Sequence, residues 1–69
     1  MTSLDERLLD AHERGAQAEL VVLYVQAAQS TVSEDAKGFY LTHAYIFALE
    51  LGHREAPNLR AALTRLGRI

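Results

Sequence analysis

The stretch 38–52, GFYLTHAYIFALELG, constrains this chain more than any other. Between its two glycines only Thr42 and His43 interrupt the apolar residues before Glu50. On a helix, Phe39, Ile46 and Leu49 approximate one apolar row. Tyr40, Ala44, Phe47 and Leu51 make a second, and Leu41, Tyr45 and Ala48 a third. A helix apolar on that many sides has to be enclosed by other elements, so the remaining segments matter chiefly for how they cover it.

Those segments also read as helices. Ser3 and Glu6 have the capping-box spacing, in which the hydroxyl takes a free backbone N–H and the carboxylate reaches back. Asp5 and Glu6 suit the positive end of a helix dipole. Leu4, Leu8 and Ala11 lie on one stripe with Leu9 beside it, which predicts an amphipathic helix over 4–14 closed by Gly15. The run Leu20, Val21, Val22, Leu23, Tyr24, Val25 has the composition of a strand. Good helix formers flank it, however, and no second β-rich run exists to pair with it, so 16–29 is expected to be helical.

A polar break over 30–33 offers two caps, Thr31 with Glu34, or Ser33 ahead of Glu34 and Asp35. A long third helix should start near Ser33 and end near Leu51, with Gly52 as its C′ residue. Gly38 inside it costs up to about 1 kcal/mol against alanine, which a close helix contact would explain. Pro57 is tolerated only in a first turn, placing the last helix from about 54–56 to about Leu66. Leu59, Ala62, Leu63 and Leu66 form its stripe, Gly67 closes it, and Arg68 and Ile69 should fray. The expected fold is therefore all-α, a single domain over 1–69. Its four short helices have antiparallel neighbours, as in a small bundle or a repeat-like helical hairpin.

Particular residues carry a family resemblance. Ala16, Leu20 and Tyr24 step by four along one helix, Val32 and Asp35 follow in the loop, and 48–56, ALELGHREA, reads as a junction into a further unit. In these positions residues 15–64 resemble the Sel1-like and tetratricopeptide repeats. Both connections are about two residues longer than the usual Sel1 unit, and the loop lacks that family's glycines. The resemblance implies stacked helical hairpins and an interaction module with no catalytic activity. Solenoids of this kind need about three repeats for stability. A chain with barely one must be capped by its own first helix, pair with another copy, or dock on a partner.

Composition narrows the function classes. A 69-residue domain buries only about 60% of its unfolded surface. With no cysteine, disulfides and cysteine-based zinc sites are excluded, leaving good helix packing or oligomerisation to stabilise it. No basic-then-apolar leader opens the sequence, and the longest apolar run, 20–25, is far short of the roughly 20 residues that cross a bilayer. These features point to the cytoplasm and away from membranes. The net charge of −2 hides an acidic segment over 1–20 and a basic one over 53–69, with net charges of −3 and +3. An acidic chain disfavours general nucleic-acid binding. A regulatory or adaptor role through Arg54, Arg60, Arg65 and Arg68 on the last helix is the alternative reading.

Candidate chemistry is sparse. Glu50 and His53 have a Glu-x-x-His spacing found in di-metal bundles, but such sites need two copies and further carboxylates. Only a homodimer would supply them. His53 should lie beyond a helix end, meeting the last carbonyls. His43 sits in the apolar run and is expected to be a buried histidine bonded to a hydroxyl, with a partner contact as the functional alternative. His12 reads as a surface residue, and Tyr24, Tyr40 and Tyr45 as core with their hydroxyls at the edge. Ser3, Ser30 and Ser33 are accounted for by caps and breaks. No cofactor, metal or small-molecule substrate is implied. The expected function is a small protein–protein interaction module that self-associates, with Val21, Val22, Val25 and His43 as the candidate partner-binding residues.

Overall fold

A computed structural model of the chain describes residues 3–69. Met1 and Thr2, the start of the expected domain, lie outside the described residues. The architecture is all-α, with helices α1 (Leu4–Arg14), α2 (Gln17–Ser30), α3 (Glu34–Leu51) and α4 (Ala56–Arg65). There is no strand among the described residues. The strand-like run of α2 is helical because no partner strand exists to satisfy its backbone, whereas i→i−4 bonds satisfy it locally.

The helix ends follow their local chemistry. Ser3 Oγ accepts from Glu6 N at 3.1 Å, while its hydroxyl donates to Glu6 Oε1 at 3.1 Å. The Glu6 carboxylate thus meets the cap's hydroxyl and not its backbone N–H. Of the two caps open for α3, Ser33 is the one used: its Oγ accepts from Ala36 N at 3.2 Å. Thr31 instead accepts from Ser33 N at 3.2 Å and shapes the turn before the helix. Gly15 and Gly52 both stand at φ +65°. There the N–H of the following residue, Ala16 or His53, reaches the carbonyl of Ala11 or Ala48 at 2.9 and 2.8 Å. That closure requires a left-handed residue, which glycine supplies without strain.

Neighbouring helices run antiparallel. Gln17 at the start of α2 bonds Glu50 at the end of α3, and Arg68 beyond α4 reaches Asp35 at the start of α3. Each helix packs against its neighbours in the chain and no other pair makes backbone contact. The result is a flattened serpentine with extents of 32 × 28 × 13 Å. The core runs through it continuously, from Ala11 on α1 through Leu20, Val21, Leu23 and Ala28 on α2 to Leu41, Ala44 and Ala48 on α3 and Leu59 and Leu63 on α4. Ala28 on α2 and Ala44 and Ala48 on α3 are buried where the two helices meet, small residues that permit close approach while leucines fill the space beside them.

Two local expectations are corrected. No helix crowds Gly38. The space a Cβ would fill is taken by the Arg68 side chain, whose Nε would lie 2.6 Å away. Arg68 is not frayed either: its N–H donates to Leu63 O at 2.9 Å, and its guanidinium bonds Asp35 Oδ1 at 2.6 Å. Because a flexible side chain can swing aside, Gly38→Ala loses at most an exposed ion pair worth about 0–1 kcal/mol. It gains up to about 1 kcal/mol of helix propensity. Chemical denaturation should therefore find this variant as stable as the parent or slightly more so. A loss beyond about 1 kcal/mol would instead mean that a rigid neighbour occupies the space.

Candidate interaction surface

The three apolar rows of α3 meet different fates. Leu41, Ala44 and Ala48 are buried, and Tyr40, Tyr45 and Phe47 are half-buried against α2 and its neighbours. Leu51, at the helix end, is exposed. The remaining row stays open: Phe39, Ile46 and Leu49 are 58%, 48% and 55% exposed. Between them on the same face stand Thr42, which donates to Gly38 O at 2.7 Å, and His43. A contiguous apolar row on a chain of this size is the kind of surface that marks an interaction site.

This row is braced from beneath by an aromatic cluster. Tyr24 of α2 is its centre, with the rings of His43, Phe47 and Tyr40 at 5.1, 6.1 and 6.3 Å. His43 lies between Tyr24 and Phe39, whose ring is 4.3 Å away. His12 of α1 meets Tyr24 and Phe47 edge-on at 5.9 Å. Each such pair adds roughly 0.5–1.5 kcal/mol beyond area burial. His43 is thus half-buried rather than enclosed, and its Nδ1 faces Phe39 O at 2.9 Å rather than a hydroxyl. The histidine that does bond a hydroxyl is His12, whose Nε2 lies 2.9 Å from Tyr24 Oη. Its charged sequence neighbours concealed that contact, which is made across the α1–α2 turn.

The three valines do not form one surface. Val21 is 1% exposed, part of the core and closed to any partner. Val22 is half exposed on the outer side of α2, separated from the α3 row. Val25 lines an apolar groove of about 290 Å³ between α2, α3 and α4, floored by Ala28, Leu41, Leu59 and Ala62. Val21 and Val25 share a side of α2, about 40° apart, while Val22 is turned about 60° to 100° from them toward solvent, so what each one meets depends on which helix covers that side. The true open row was visible in the sequence as one of the three on α3. Its exposure was not, because that depends on which sides α2 and α4 cover.

The charged groups also sort by geometry. His53 Nδ1 accepts from Glu55 N at 3.1 Å, so the ring caps the turn into α4 instead of meeting the carbonyls that end α3. Glu50 accepts from Gln17. Among the described residues, no three His, Asp or Glu side chains gather where they could hold a metal ion. Arg14 clasps Asp10 and Glu19 across the first turn. Arg68 is committed to Asp35, while Arg54, Arg60 and Arg65 are exposed and have no carboxylate partner among the described residues. No helix among the described residues is long and apolar enough to cross a membrane. Compared with models of known families, with curated proteins and with solved structures, the chain has no match.

Burial pushes the Tyr24 phenol above its ordinary value of 10.0. The folded chain then keeps this proton at pH values where the unfolded chain has lost it. Its stabilising contribution is complete below pH 10 and is lost as the pH rises through the folded value. Denaturation at a series of alkaline pH values should show stability falling above about pH 10, with Tyr24→Phe flattening the decline. An equal decline in both proteins would remove Tyr24 as its source.

Proposed function

We propose that this chain is a protein–protein interaction module that self-associates and has no catalytic role of its own. The observation that carries this reading is the open row Phe39, Ile46 and Leu49 on the longest helix. Leaving three large apolar side chains in water forgoes burial worth roughly 1.5–3 kcal/mol for each one fully covered. A domain this small has little stability to spare. Backbone contact confined to helices adjacent in the chain, among the described residues, also suits the hairpin units of helical repeats, which the Sel1-like pattern suggests. Sedimentation velocity across the micromolar range should show a species heavier than the 7.7 kDa chain. A monomer at every concentration that binds no hydrophobic dye would overturn the reading.

The arginine-based alternative is favoured by one observation, the exposed and unpaired guanidiniums of Arg54, Arg60 and Arg65 on and beside α4. Three phosphate contacts imply that log K falls against log salt with a slope of about −2 to −3. Titration of labelled single- and double-stranded oligonucleotides at low salt should show such binding if this reading holds. No binding there would exclude it.

A further inference from the structure

We propose that α3 is the self-association surface and that two copies pair it antiparallel about a two-fold axis that crosses the open row between Thr42 and Ile46, level with Ala44 along the helix. This rests on the self-associating reading above and specifies its geometry. The row is nearly symmetric about that point. With the axis level with Ala44, Phe39 faces Leu49 of the second copy, and Ile46 faces Thr42 of the second copy, on both sides. A two-fold interface has to be self-complementary in this sense, with each contact occurring twice.

The charges around α3 favour the antiparallel arrangement over the parallel one. Glu34 and Asp35 open the helix, while Arg54 follows its end. With α3 antiparallel, the acidic start of one copy lies nearest the segment that carries Arg54 in the other. Arg68 lies across Gly38, the position opposite Glu50 of the second copy. A parallel pair would instead set Glu34 and Asp35 against their own copies and align the two helix dipoles unfavourably. His43, held between Tyr24 and Phe39, flanks the seam and fixes the Phe39 ring at its edge. At about 27 Å long, one helix paired with itself buries less than the roughly 800 Å² per partner of a standard interface. The expected dimer is therefore in the small, weak class of interfaces.

Ile46 is exposed in the free chain, so Ile46→Glu should leave the helical circular dichroism intact and abolish the dimer in sedimentation. Val22→Glu, on the outer side of α2, should leave the dimer unchanged. If Ile46→Glu unfolds, Leu49→Lys gives the same reading from the rim of the row. Orientation is read by cross-linking, which is clean because the chain has no cysteine. Asp35→Cys and His53→Cys proteins, mixed and treated with a bifunctional maleimide, should join to each other, and neither should join to itself. Self-joining of either variant alone would overturn the antiparallel pairing. If the parent associates and both Ile46→Glu and Leu49→Lys still do so, the α3 surface is wrong and the self-association reading stands. A parent monomeric at every concentration, the result expected if the row binds a different protein, would overturn both. A trimer or an open-ended series of oligomers would overturn the two-fold dimer alone.

Discussion

The contact between α2 and α3 is the constraint on which the remaining structure depends. Both helices are apolar on more than one side, and each has the other as its largest neighbour. Alanines at the seam, Ala28 on α2 and Ala44 and Ala48 on α3, bring the axes close. Leu20, Leu23 and Leu41 then close the flanks. Once α2 lies along α3, the short turns set α1 against α2 and α4 against α3. The serpentine follows from chain connectivity and from this one well-packed seam. A closed bundle would need α1 to reach α4, and no contact of that kind exists.

Helix positions were legible in the sequence because their signals are local. Ser33 before Glu34 and Asp35, Gly15 and Gly52 as terminators, and Pro57 in the first turn of α4 act within one or two turns of backbone, where sequence distance and spatial distance agree. Boundaries moved by a residue or so: α2 spans Gln17–Ser30 and α4 Ala56–Arg65. What lay beyond reach was the identity of the side left open. Three apolar rows on α3 could be counted, but which row faces water depends on the rotation of α3 against its two neighbours. That rotation is a tertiary quantity. The valines of α2 misled for the same reason, since a turn of about 100° between neighbours was enough to bury Val21 and leave Val22 half exposed.

The histidines show how far neighbouring residues can mislead about environment. His12 stands in a charged segment and His43 in an apolar one, yet both reach the same tyrosine. Tyr24 takes the His12 nitrogen with its hydroxyl and the His43 ring with its face, which joins α1, α2 and α3 at one point. A tyrosine does this with a single side chain because its ring is apolar and its tip is not. The polar contact holds α1, whose own apolar stripe is thin, while the ring contacts hold the upper part of α3 in place beneath Phe39.

If copies pair through α3 as proposed, folding and association are coupled in this chain. The helices that could have covered Phe39, Ile46 and Leu49 are already used on the other two sides of α3, and a fifth helix would be needed to close the third. An apolar row on a rigid helix offers a second copy a surface that needs no rearrangement, so little ordering cost opposes binding. Any partner that binds only the folded chain adds RT ln(1 + [L]/Kd) to its stability, and for a second copy [L] is the protein's own concentration. Under the proposed pairing, a domain near the size limit for independent stability would become more stable as it becomes more abundant. The exposed row that costs the isolated chain stability is thus the feature through which the proposed assembly would restore it.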